Sequence, residues 1–331
     1  MLTWRRSITT CMQKSAFHTS KAARIPPRRS NISNTINNRW GSFERITPAS
    51  LATVDVTTFP RRPVPDNIPR PSYAAQGLAS SWESDIPCLS TQEQIQGLKN
   101  ACQLAKNVLT MGGKMCLPGI TTEMIDKELH QAIIDNGAYP SPLNYMGYPK
   151  SVCTSVNNII AHSIPDDRPL RDGDIINIDV TVYLNGYHGD TSATFMVGNV
   201  DSKGKDLVEN TKECLDKAIN ICGPGVPFNE IGRVISDHAE NNGYTVSEEL
   251  TGHGIGTEFH CHPLIYHHRN AEEGTMEPGM AFTIEPILCQ GSPMGILWPD
   301  QWTISTIDGG RSAQFEHTVL ITKDGVDVLT K

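Results

Sequence analysis

Several features that define common protein classes are missing from this sequence of 331 residues. No apolar run approaches the roughly 20 residues needed to span a membrane, which argues against a membrane protein. The nine cysteines are odd in number and include no C-x-x-C pair, which argues against a disulfide framework and for a reducing compartment. The glycines at 252, 254 and 256 lack both a strand–G-x-G-x-x-G–helix setting and a P-loop lysine, so we do not expect them to bind phosphate.

Acidic residues are missing from the first 43 positions, which carry eight lysines and arginines. The remainder has 20 basic and 36 acidic residues, a net charge of −16. An amino terminus that is rich in Arg, Ser and Thr and free of acids is typical of a mitochondrial or plastid transit peptide, which we predict for residues 1–43. The alternative is a basic arm for nucleic acid. Because the acidic remainder would repel phosphate, no nucleic-acid partner is expected.

A proline-rich segment follows. Residues 44–89 are predicted to be a linker, because five prolines between positions 60 and 71 rule out a helix or an inner strand there. The linker could lie extended over the rest of the protein. The catalytic domain is predicted to span 90–331. It opens with Ser90-x-x-Glu93, a capping-box pattern ahead of apolar residues at helical spacing.

Helix-ending dipeptides recur at a fixed spacing within this domain. Pro118-Gly119 and Asn136-Gly137 are matched by Pro224-Gly225 and Asn242-Gly243, each 106 residues further along the chain. Apolar residues at helical spacing lie between the members of each set. The repeat predicts two related halves, each with two helices followed by strands. The alternative is that these common helix-ending dipeptides agree in spacing by chance.

Two β-rich runs, 175–184 and 187–197, flank Asn185-Gly186, which is a strong signal for a two-residue hairpin loop. That loop would place Asp179 and Asp190 on one face of the hairpin as diagonal neighbours, with their backbones roughly 7–8 Å apart. Two carboxylates at this distance can bind cations between them. The alternative is that both point into solvent.

Three further candidate residues lie in the second half. Glu285 and Glu316 each stand within an apolar strand, where a carboxylate is costly to bury unless it is paired or bound to a metal. His253 lies between glycines that let the backbone approach it closely. Together with Asp179 and Asp190 they form a set of oxygen ligands with one imidazole, which suits two divalent ions. Because such ion pairs catalyse hydrolysis, the residues predict a dinuclear metallohydrolase.

Other histidines leave alternatives open. His260 and His262 alternate along a predicted strand and could bind zinc, but histidines so placed more often contact substrate or orient other ligands. His267 and His268 are predicted to lie at the surface.

Six segments resemble the type 1 methionine aminopeptidases, in that family's order, within 90–331. They are Tyr-Pro-Lys-Ser-Val-Cys (148–153), Asp-Gly-Asp-Ile-Ile-Asn-Ile-Asp (172–179), Gly-Tyr-His-Gly-Asp-Thr-Ser (186–192), Gly-His-Gly-Ile-Gly (252–256), Phe-Thr-Ile-Glu-Pro (282–286) and Ser-Ala-Gln-Phe-Glu-His-Thr (312–318). The resemblance implies an α+β pita-bread fold, with two pseudo-symmetric halves around an antiparallel sheet. It also implies two divalent metal ions, Co²⁺, Mn²⁺, Fe²⁺ or Zn²⁺, as cofactors.

The resemblance also assigns roles to the metal-ligand candidates. Asp179 would bind one ion, and His253 and Glu285 would bind the other. Asp190 and Glu316 would bridge both ions. Glu285 also resembles the family's proposed proton shuttle.

Substrate contacts follow from the same resemblance. His162 and His260 would face the substrate and stabilise the scissile carbonyl or the tetrahedral intermediate. The pocket for the methionine side chain would be lined by Tyr145, Tyr148, Cys153, Phe259 and Trp302. An aromatic lining with a polarizable sulfur suits a thioether.

The sequence departs from the family pattern beside two of the histidines. Ala161 and Ser163 flank His162 where the family often has Cys and Gly, and Thr251 stands where Cys is frequent. These positions border the pocket, so they bear on the rate with each substrate and not on metal binding.

The implied activity is removal of the initiator methionine from nascent proteins when the second residue is small. The partners would be amino-terminal peptides of nascent proteins, with ribosome association as a further expectation, and a monomer is expected. The transit-like start points to the mitochondrial form, in the matrix, ahead of a plastid form. The alternatives are an X-Pro peptidase of the same fold and a binding protein that kept the fold without catalysis.

Overall fold

Residues 35–78 and 89–331 are described by a computed structural model of the chain. Residues 1–34 of the predicted transit peptide and 79–88 of the predicted linker lie outside this described part. Within the described ranges, no helix combines the length and the apolar character required to cross a membrane.

The α-helices of the described chain lie in two consecutive pairs. The first pair is α1 (Gln92–Lys114) and α2 (Thr122–Asp135). The second pair is α3 (Ser202–Asn220) and α4 (Asn229–Asn241). Strands follow each pair, as the repeat predicts.

The strands are short, except for a central pair of ten residues each. In chain order they are β1 (Thr35–Asn38), β2 (Gly41–Glu44), β3 (Tyr139–Pro140), β4 (Cys153–Val156), β5 (Ile159–Ala161), β6 (Ile175–Leu184), β7 (Tyr187–Met196), β8 (Thr245–Val246), β9 (Gly252–Gly254), β10 (Cys261–Ile265), β11 (Ala281–Ile284), β12 (Ile287–Cys289), β13 (Gly295–Leu297), β14 (Ile304–Thr306), β15 (Ser312–Gln314), β16 (Glu316–Ile321) and β17 (Val326–Val328).

A nine-stranded sheet forms the centre of the molecule. Its main path runs β10-β9-β11-β16-β7-β6-β3, with β17 paired to β16 and β4 paired to β6. Every pairing in this sheet is antiparallel. The predicted α+β class is therefore confirmed, and strands from both halves of the chain lie side by side in one sheet.

The hairpin of β6 and β7 has the predicted register. Asn185 (φ 49°) and Gly186 (φ 96°) form the loop in the left-handed region that this turn requires. Asp179 lies opposite Ser192, two positions along β7 from Asp190. Because side chains alternate along a strand, the two aspartates share one face.

The start of α1 differs from the predicted capping box. Thr91 is the N-cap, where Ser90 was predicted, and its side chain accepts a hydrogen bond from the Gln94 backbone N–H. The Gln94 side chain accepts from the backbone N–H groups of both Ser90 and Thr91. One amide thus satisfies two donors ahead of the helix, which leaves the Glu93 carboxylate in the first turn.

The two halves repeat one another in three dimensions. Isolated β-bridges pair Thr121 with Pro169 and Pro227 with Thr275, so both partners of the second bridge follow those of the first by 106 residues. The same offset relates fully buried side chains of α2 and α4 in the two hydrophobic cores: Ile125 and Leu129 in one, Ile231 and Ile235 in the other. The predicted duplication is confirmed by this geometry.

Residues 45–78, which we call the strap, lie across the body of the domain. Within the strap there are only two short 3₁₀ helices, Val56–Thr58 and Ser72–Ala74, in agreement with its proline content. The hairpin of β1 and β2 precedes the strap. In it, the ring of Phe43 packs under the Arg311 guanidinium at 4.6 Å. The boundary predicted between residues 43 and 44 falls within this hairpin, on β2.

Candidate metal centre

The β6–β7 hairpin presents two carboxylates on one face. Asp190 is almost fully buried, with 4% of its surface exposed, and its Oδ1 accepts a hydrogen bond of 2.6 Å from the Thr181 hydroxyl. Thr181 lies directly across the hairpin from Asp190. Asp179 is two positions from Thr181 on the same face, as predicted.

β16 brings a third carboxylate to this face. Glu316 on β16 lies opposite Ser192 on β7, and Ser192 in turn lies opposite Asp179 on β6. Three neighbouring strands therefore place Asp179, Ser192 and Glu316 in one row. Glu316 is buried, with 3% of its surface exposed.

His253 on β9 and Glu285 at the end of β11 complete the set. The His253 Nε2 atom lies 3.7 Å from an oxygen of Asp190 and 3.7 Å from an oxygen of Glu285. Its Nδ1 atom donates to the carbonyl oxygen of Gly254 at 3.1 Å. A neutral ring with its proton on Nδ1 leaves the Nε2 lone pair free to bind a metal.

Glycine is required on both sides of His253. A Cβ atom at Gly252 would lie 2.4 Å from the Thr283 carbonyl oxygen, and one at Gly254 would lie 2.1 Å from the His262 carbonyl oxygen. Both contacts are backbone atoms that cannot move aside. The close approach predicted from the glycines is confirmed.

Burial acts on all four carboxylates, and repulsion from neighbouring carboxylates acts on three of them. Burial raises the pKa of Asp179 to about 7. Burial, and then the charge of Asp179, raise the pKa of Asp190 well above its usual range. The pKa values of Glu285 and Glu316 are raised by burial and then by Asp190. Burial also lowers the pKa of His253 to about 4, so this ring is neutral near pH 7.

These residues fit divalent cations. Asp190, His253 and Glu316 each offer one ligand atom, and the three atoms lie within 4.8 Å of one another. Asp179 and Glu285 are close enough to these groups to raise their pKa values. Bound cations would offset the repulsion that this buried cluster otherwise carries, and carboxylates with one imidazole suit Mn²⁺, Fe²⁺, Co²⁺ or Zn²⁺.

Two more histidines border the cluster. The ring of His260 lies 4.3 Å from that of His253, and its Nδ1 atom is 2.8 Å from the Tyr145 hydroxyl. His162 adopts a left-handed backbone (φ 57°), and its ring lies 6.5 Å from Trp302. His260 thus lies beside the candidate ligand His253, and His162 is close enough to His260 to lower its pKa.

The predicted pocket residues form two apolar groups next to the carboxylates. Tyr148, Cys153 and Trp302 pack together in one group, and Cys153 pairs across the sheet with Asp179. Tyr145 and Phe259 form the other, with ring centroids 5.0 Å apart. The structure therefore brings together all the site residues predicted from sequence.

The surface prediction for His267 is wrong. Only 2% of its surface is exposed, and its Nε2 accepts a hydrogen bond of 3.0 Å from the Glu285 backbone N–H. Burial lowers its pKa to about 3, which keeps Nε2 unprotonated and able to accept. His267 therefore fixes the backbone that carries a candidate ligand. No signal in the sequence distinguishes it from its half-buried neighbour His268.

A zinc pair of His260 and His262 is not found. Within 35–78 and 89–331, the one group arranged to hold a metal consists of Asp190, His253 and Glu316. His262 belongs to β10, whereas His260 precedes that strand, so the two side chains do not share the regular strand geometry that the prediction assumed.

Two partners of Glu285 were missed. The Thr283 hydroxyl donates to Oε1 at 2.9 Å, and the Gln314 amide donates to Oε2 at 3.2 Å. Strand periodicity could have found both, because Thr283 is two residues before Glu285 and Gln314 is two residues before Glu316. Polar residues at these positions share a face with the carboxylates.

Comparison with known proteins agrees with this geometry. The model of metallopeptidase family M24 matches residues 96–323, more than half of the chain. Fold and site thus define a metallopeptidase, and the chain belongs to family M24.

Similar proteins place the chain more narrowly. It is 56% identical over 269 residues to mitochondrial methionine aminopeptidase 1D of Homo sapiens, a match that covers 81% of this chain and 80% of that protein. It is 53% identical over 295 residues to chloroplastic/mitochondrial methionine aminopeptidase 1D of Arabidopsis thaliana, which covers 88% and 81%. Within family M24 the chain belongs to the methionine aminopeptidases.

Solved structures confirm the pita-bread fold. The crystal structure of methionine aminopeptidase from Rickettsia prowazekii matches with a TM-score of 0.73 at 41% identity, over 75% of this chain and all of that one. Prolidase from Pyrococcus furiosus matches with a TM-score of 0.57 at 22% identity, over 74% of this chain and 66% of that one. The likeness to prolidase shows a shared fold alone.

Proposed function

We propose that this protein removes the initiator methionine from nascent proteins whose second residue is small. The observation that carries the proposal is a buried group of Asp190, His253 and Glu316, from both halves of the chain, with Asp179 and Glu285 close to it and an aromatic pocket beside it. Membership of the methionine aminopeptidases supplies the substrate class.

The five candidate ligands would hold two divalent cations. Asp179 would bind one, His253 and Glu285 the other, and Asp190 and Glu316 both. When bound, such ions activate water for attack and polarise the peptide carbonyl. Co²⁺, Mn²⁺, Fe²⁺ and Zn²⁺ all suit this ligand set.

The two bordering histidines would stabilise negative charge on the scissile carbonyl oxygen. Burial lowers the pKa of His162 to about 4 and, together with the charge of His253, lowers that of His260 well below its usual range. Both rings are therefore neutral near pH 7, and each offers one N–H donor. Donors fixed in place before the reaction stabilise the developing charge without reorganisation.

Glu285 is the group proposed to carry a proton between water and the leaving amine. Its two oxygens accept hydrogen bonds from Thr283 and Gln314, and its backbone is fixed by His267. These three contacts hold the carboxylate in one orientation, which proton transfer requires.

The aromatic pocket would bind the methionine side chain. Tyr148 and Trp302 meet edge to face at 5.0 Å, and Tyr145 and Phe259 meet similarly at 5.0 Å. A thioether makes favourable contacts with aromatic edges. Cys153 adds a neutral, polarizable wall, because burial raises the pKa of its thiol well above the usual range.

We further propose that the protein acts as a monomer in the mitochondrial matrix, in contact with ribosomes that release new chains. The acid-free, Arg-rich amino terminus supports organellar targeting. The human and Arabidopsis relatives carry mitochondrial and chloroplastic/mitochondrial names, respectively. Import into isolated mitochondria and plastids would decide between the two organelles.

The test of this function is methionine release from Met-Ala-Ser after chelation and stepwise return of each metal. We expect activity to disappear with the chelator and to recover with metal in the native protein. Asp190→Asn should show neither activity nor recovery, whereas the exposed control Asp324→Asn should behave like the native protein. Release from Met-Pro, or from other X-Pro peptides, in preference to Met-Ala-Ser would favour the X-Pro alternative. Inactivity with every metal would favour a binding protein.

A further inference from the structure

The strap is bound to the loop that forms one wall of the methionine pocket. Tyr73 donates its hydroxyl to the Ser141 carbonyl oxygen at 2.7 Å. The Asn144 amide donates to the Ala74 carbonyl oxygen at 2.8 Å. Both contacts join the strap to residues 141–148, which include Tyr145. This loop is therefore held by hydrogen bonds with a segment that lies outside the match to family M24, since that match begins at residue 96.

The ring of Tyr73 packs directly on Tyr145. Their centroids are 5.0 Å apart and the planes are nearly perpendicular at 86°. Tyr73 is 5% exposed and forms an apolar cluster with Tyr145 and Phe259. Tyr145 is therefore held between a strap residue on one side and a pocket residue on the other.

Tyr145 in turn contacts His260. Its hydroxyl lies 2.8 Å from Nδ1 of His260. A phenol that donates to Nδ1 leaves the proton of the neutral ring on Nε2, the nitrogen that would face the substrate in the proposed function. The position of the Tyr145 hydroxyl thus sets both the tilt of the His260 ring and the nitrogen that carries its proton.

The strap also reaches the other side of the pocket. Val56 is buried against Tyr148 and Cys153, with Trp302 packed on the same group. The backbone N–H of Val54 donates to the Pro299 carbonyl oxygen at 3.0 Å, three residues before Trp302. Both walls of the pocket are therefore supported from behind by the strap.

We propose that Tyr73 is a positioning residue of the active site, which holds Tyr145 and, through its hydroxyl, orients His260. The inference rests on the proposed function, in which His260 stabilises the reacting carbonyl. The strap, which was predicted from sequence only as a linker, would thus affect catalysis.

A double-mutant cycle tests this route. Tyr73→Ala removes the support, Tyr73→Phe keeps the ring, and Tyr145→Phe removes the hydroxyl that contacts His260. We expect Tyr73→Ala to lower kcat on Met-Ala-Ser by about ten- to a hundredfold, the range for a catalytic group misplaced by up to about 1 Å, and to raise KM by less, because Tyr145 also lines the methionine pocket. Tyr73→Phe should retain most of the native kcat. In the Tyr145→Phe background, Tyr73→Ala should cause little further loss.

Ile68→Ala is the matched control. Ile68 is another buried strap residue, 4% exposed, which packs on Tyr139 and Leu143. This change removes a smaller buried side chain, which packs on the same loop through Leu143 but not on Tyr145, so we expect kcat to stay near the native value. If Tyr73→Ala does not fold, Tyr73→Leu keeps an apolar side chain there but loses the edge-to-face contact, and it takes the same place in the cycle.

A readout without turnover separates this inference from the proposed function. In protein labelled with ¹⁵N-histidine, Tyr73→Ala should shift the imidazole resonances of His260, assigned with His260→Ala, whereas Ile68→Ala should leave them in place. Unchanged resonances, or equal losses of kcat in the native and Tyr145→Phe backgrounds, would overturn the role of Tyr73. Absence of methionine release by the native protein would instead count against the proposed function, and the resonances would still test the contact.

Discussion

At the scale of single residues, the site consists of carboxylates whose burial side by side is unfavourable unless cations are bound between them. Asp190 and Glu316 are buried beside Asp179 and Glu285, and the charges of Asp179, Asp190 and Glu285 raise the pKa values of neighbouring carboxylates. Hydrogen bonds from Thr181, Thr283 and Gln314 orient the carboxylates but leave the cluster with excess negative charge. Cations supply the missing positive charge.

This electrostatic balance predicts a pH dependence of stability in the metal-free protein. Burial raises the pKa of Asp179 from 3.8 to about 7. Between these values the unfolded chain has lost a proton that the folded chain keeps, so the contribution of Asp179 to the free energy of unfolding falls as the pH rises, and this contribution levels off above about pH 7. Thermal unfolding of chelated protein from about pH 4 to 8 should show this fall.

Asp179→Asn serves as the comparison, because it removes the titrating group and keeps its size. Its melting temperature should depend less on pH over the same window. The melting temperature of metal-loaded native protein should exceed that of the metal-free form by most at the alkaline end of this pH range. A metal-free protein whose stability rises through this window, with no difference in Asp179→Asn, would contradict the electrostatic account.

The candidate metal ligands could be predicted from the sequence more reliably than the residues that position the site. A carboxylate in an apolar strand is conspicuous, which is why Glu285 and Glu316 could be selected. His267 was misplaced because only the path of the chain after β10 buries it against the Glu285 backbone. Tyr73 gave no signal at all, since its contact with Tyr145 joins residues 72 positions apart with no periodic pattern between them.

At the scale of secondary-structure elements, local signals were reliable where the chain is regular. The Asn185-Gly186 loop fixes the register of β6 and β7 by itself, so the positions of Asp179 and Asp190 could be derived in advance. The capping box of α1 begins one residue later than predicted. The patterns Ser90-x-x-Glu93 and Thr91-x-x-Gln94 overlap, and the structure uses the second. The strap has no such local signal, and its course depends on separate contacts with the body.

One of these contacts anchors the hairpin that precedes the strap. The Arg311 side chain is fully buried and donates to both oxygens of Asp201, at 2.9 and 2.8 Å, and to the Trp40 carbonyl oxygen at 2.7 Å. Asp201 also caps α3 through the backbone N–H of Gly204. Arg311 therefore joins the hairpin, α3 and β15.

Arg311→Met should destabilise the fold by about 3–5 kcal/mol, because it leaves a partly buried carboxylate without its partner. Urea unfolding followed by circular dichroism measures this change. Arg233→Met, at an exposed ion pair on α4, is the control and should change stability far less. Equal effects of the two substitutions would show that burial of Arg311 adds nothing.

At the scale of the whole molecule, duplication explains why the ligands meet. Asp179 at β6 and Glu285 after β11 are separated by the same 106 residues that relate the two bridges of the halves. Equivalent strands from the two halves thus bring one carboxylate each to the middle of the shared sheet. Sequence showed the repeat only through a few helix-ending dipeptides and apolar positions at the same spacing.

The central claim, that these distant side chains form one metal centre, is tested most directly by anomalous diffraction from a crystal soaked in Mn²⁺. We predict two adjacent peaks, about 3.5–4 Å apart, as in other two-metal sites. They should lie between the oxygens of Asp179, Asp190, Glu285 and Glu316 and the Nε2 atom of His253. Carboxylates turned away from one another with no peak between them, in a crystal that binds manganese elsewhere, would contradict the account.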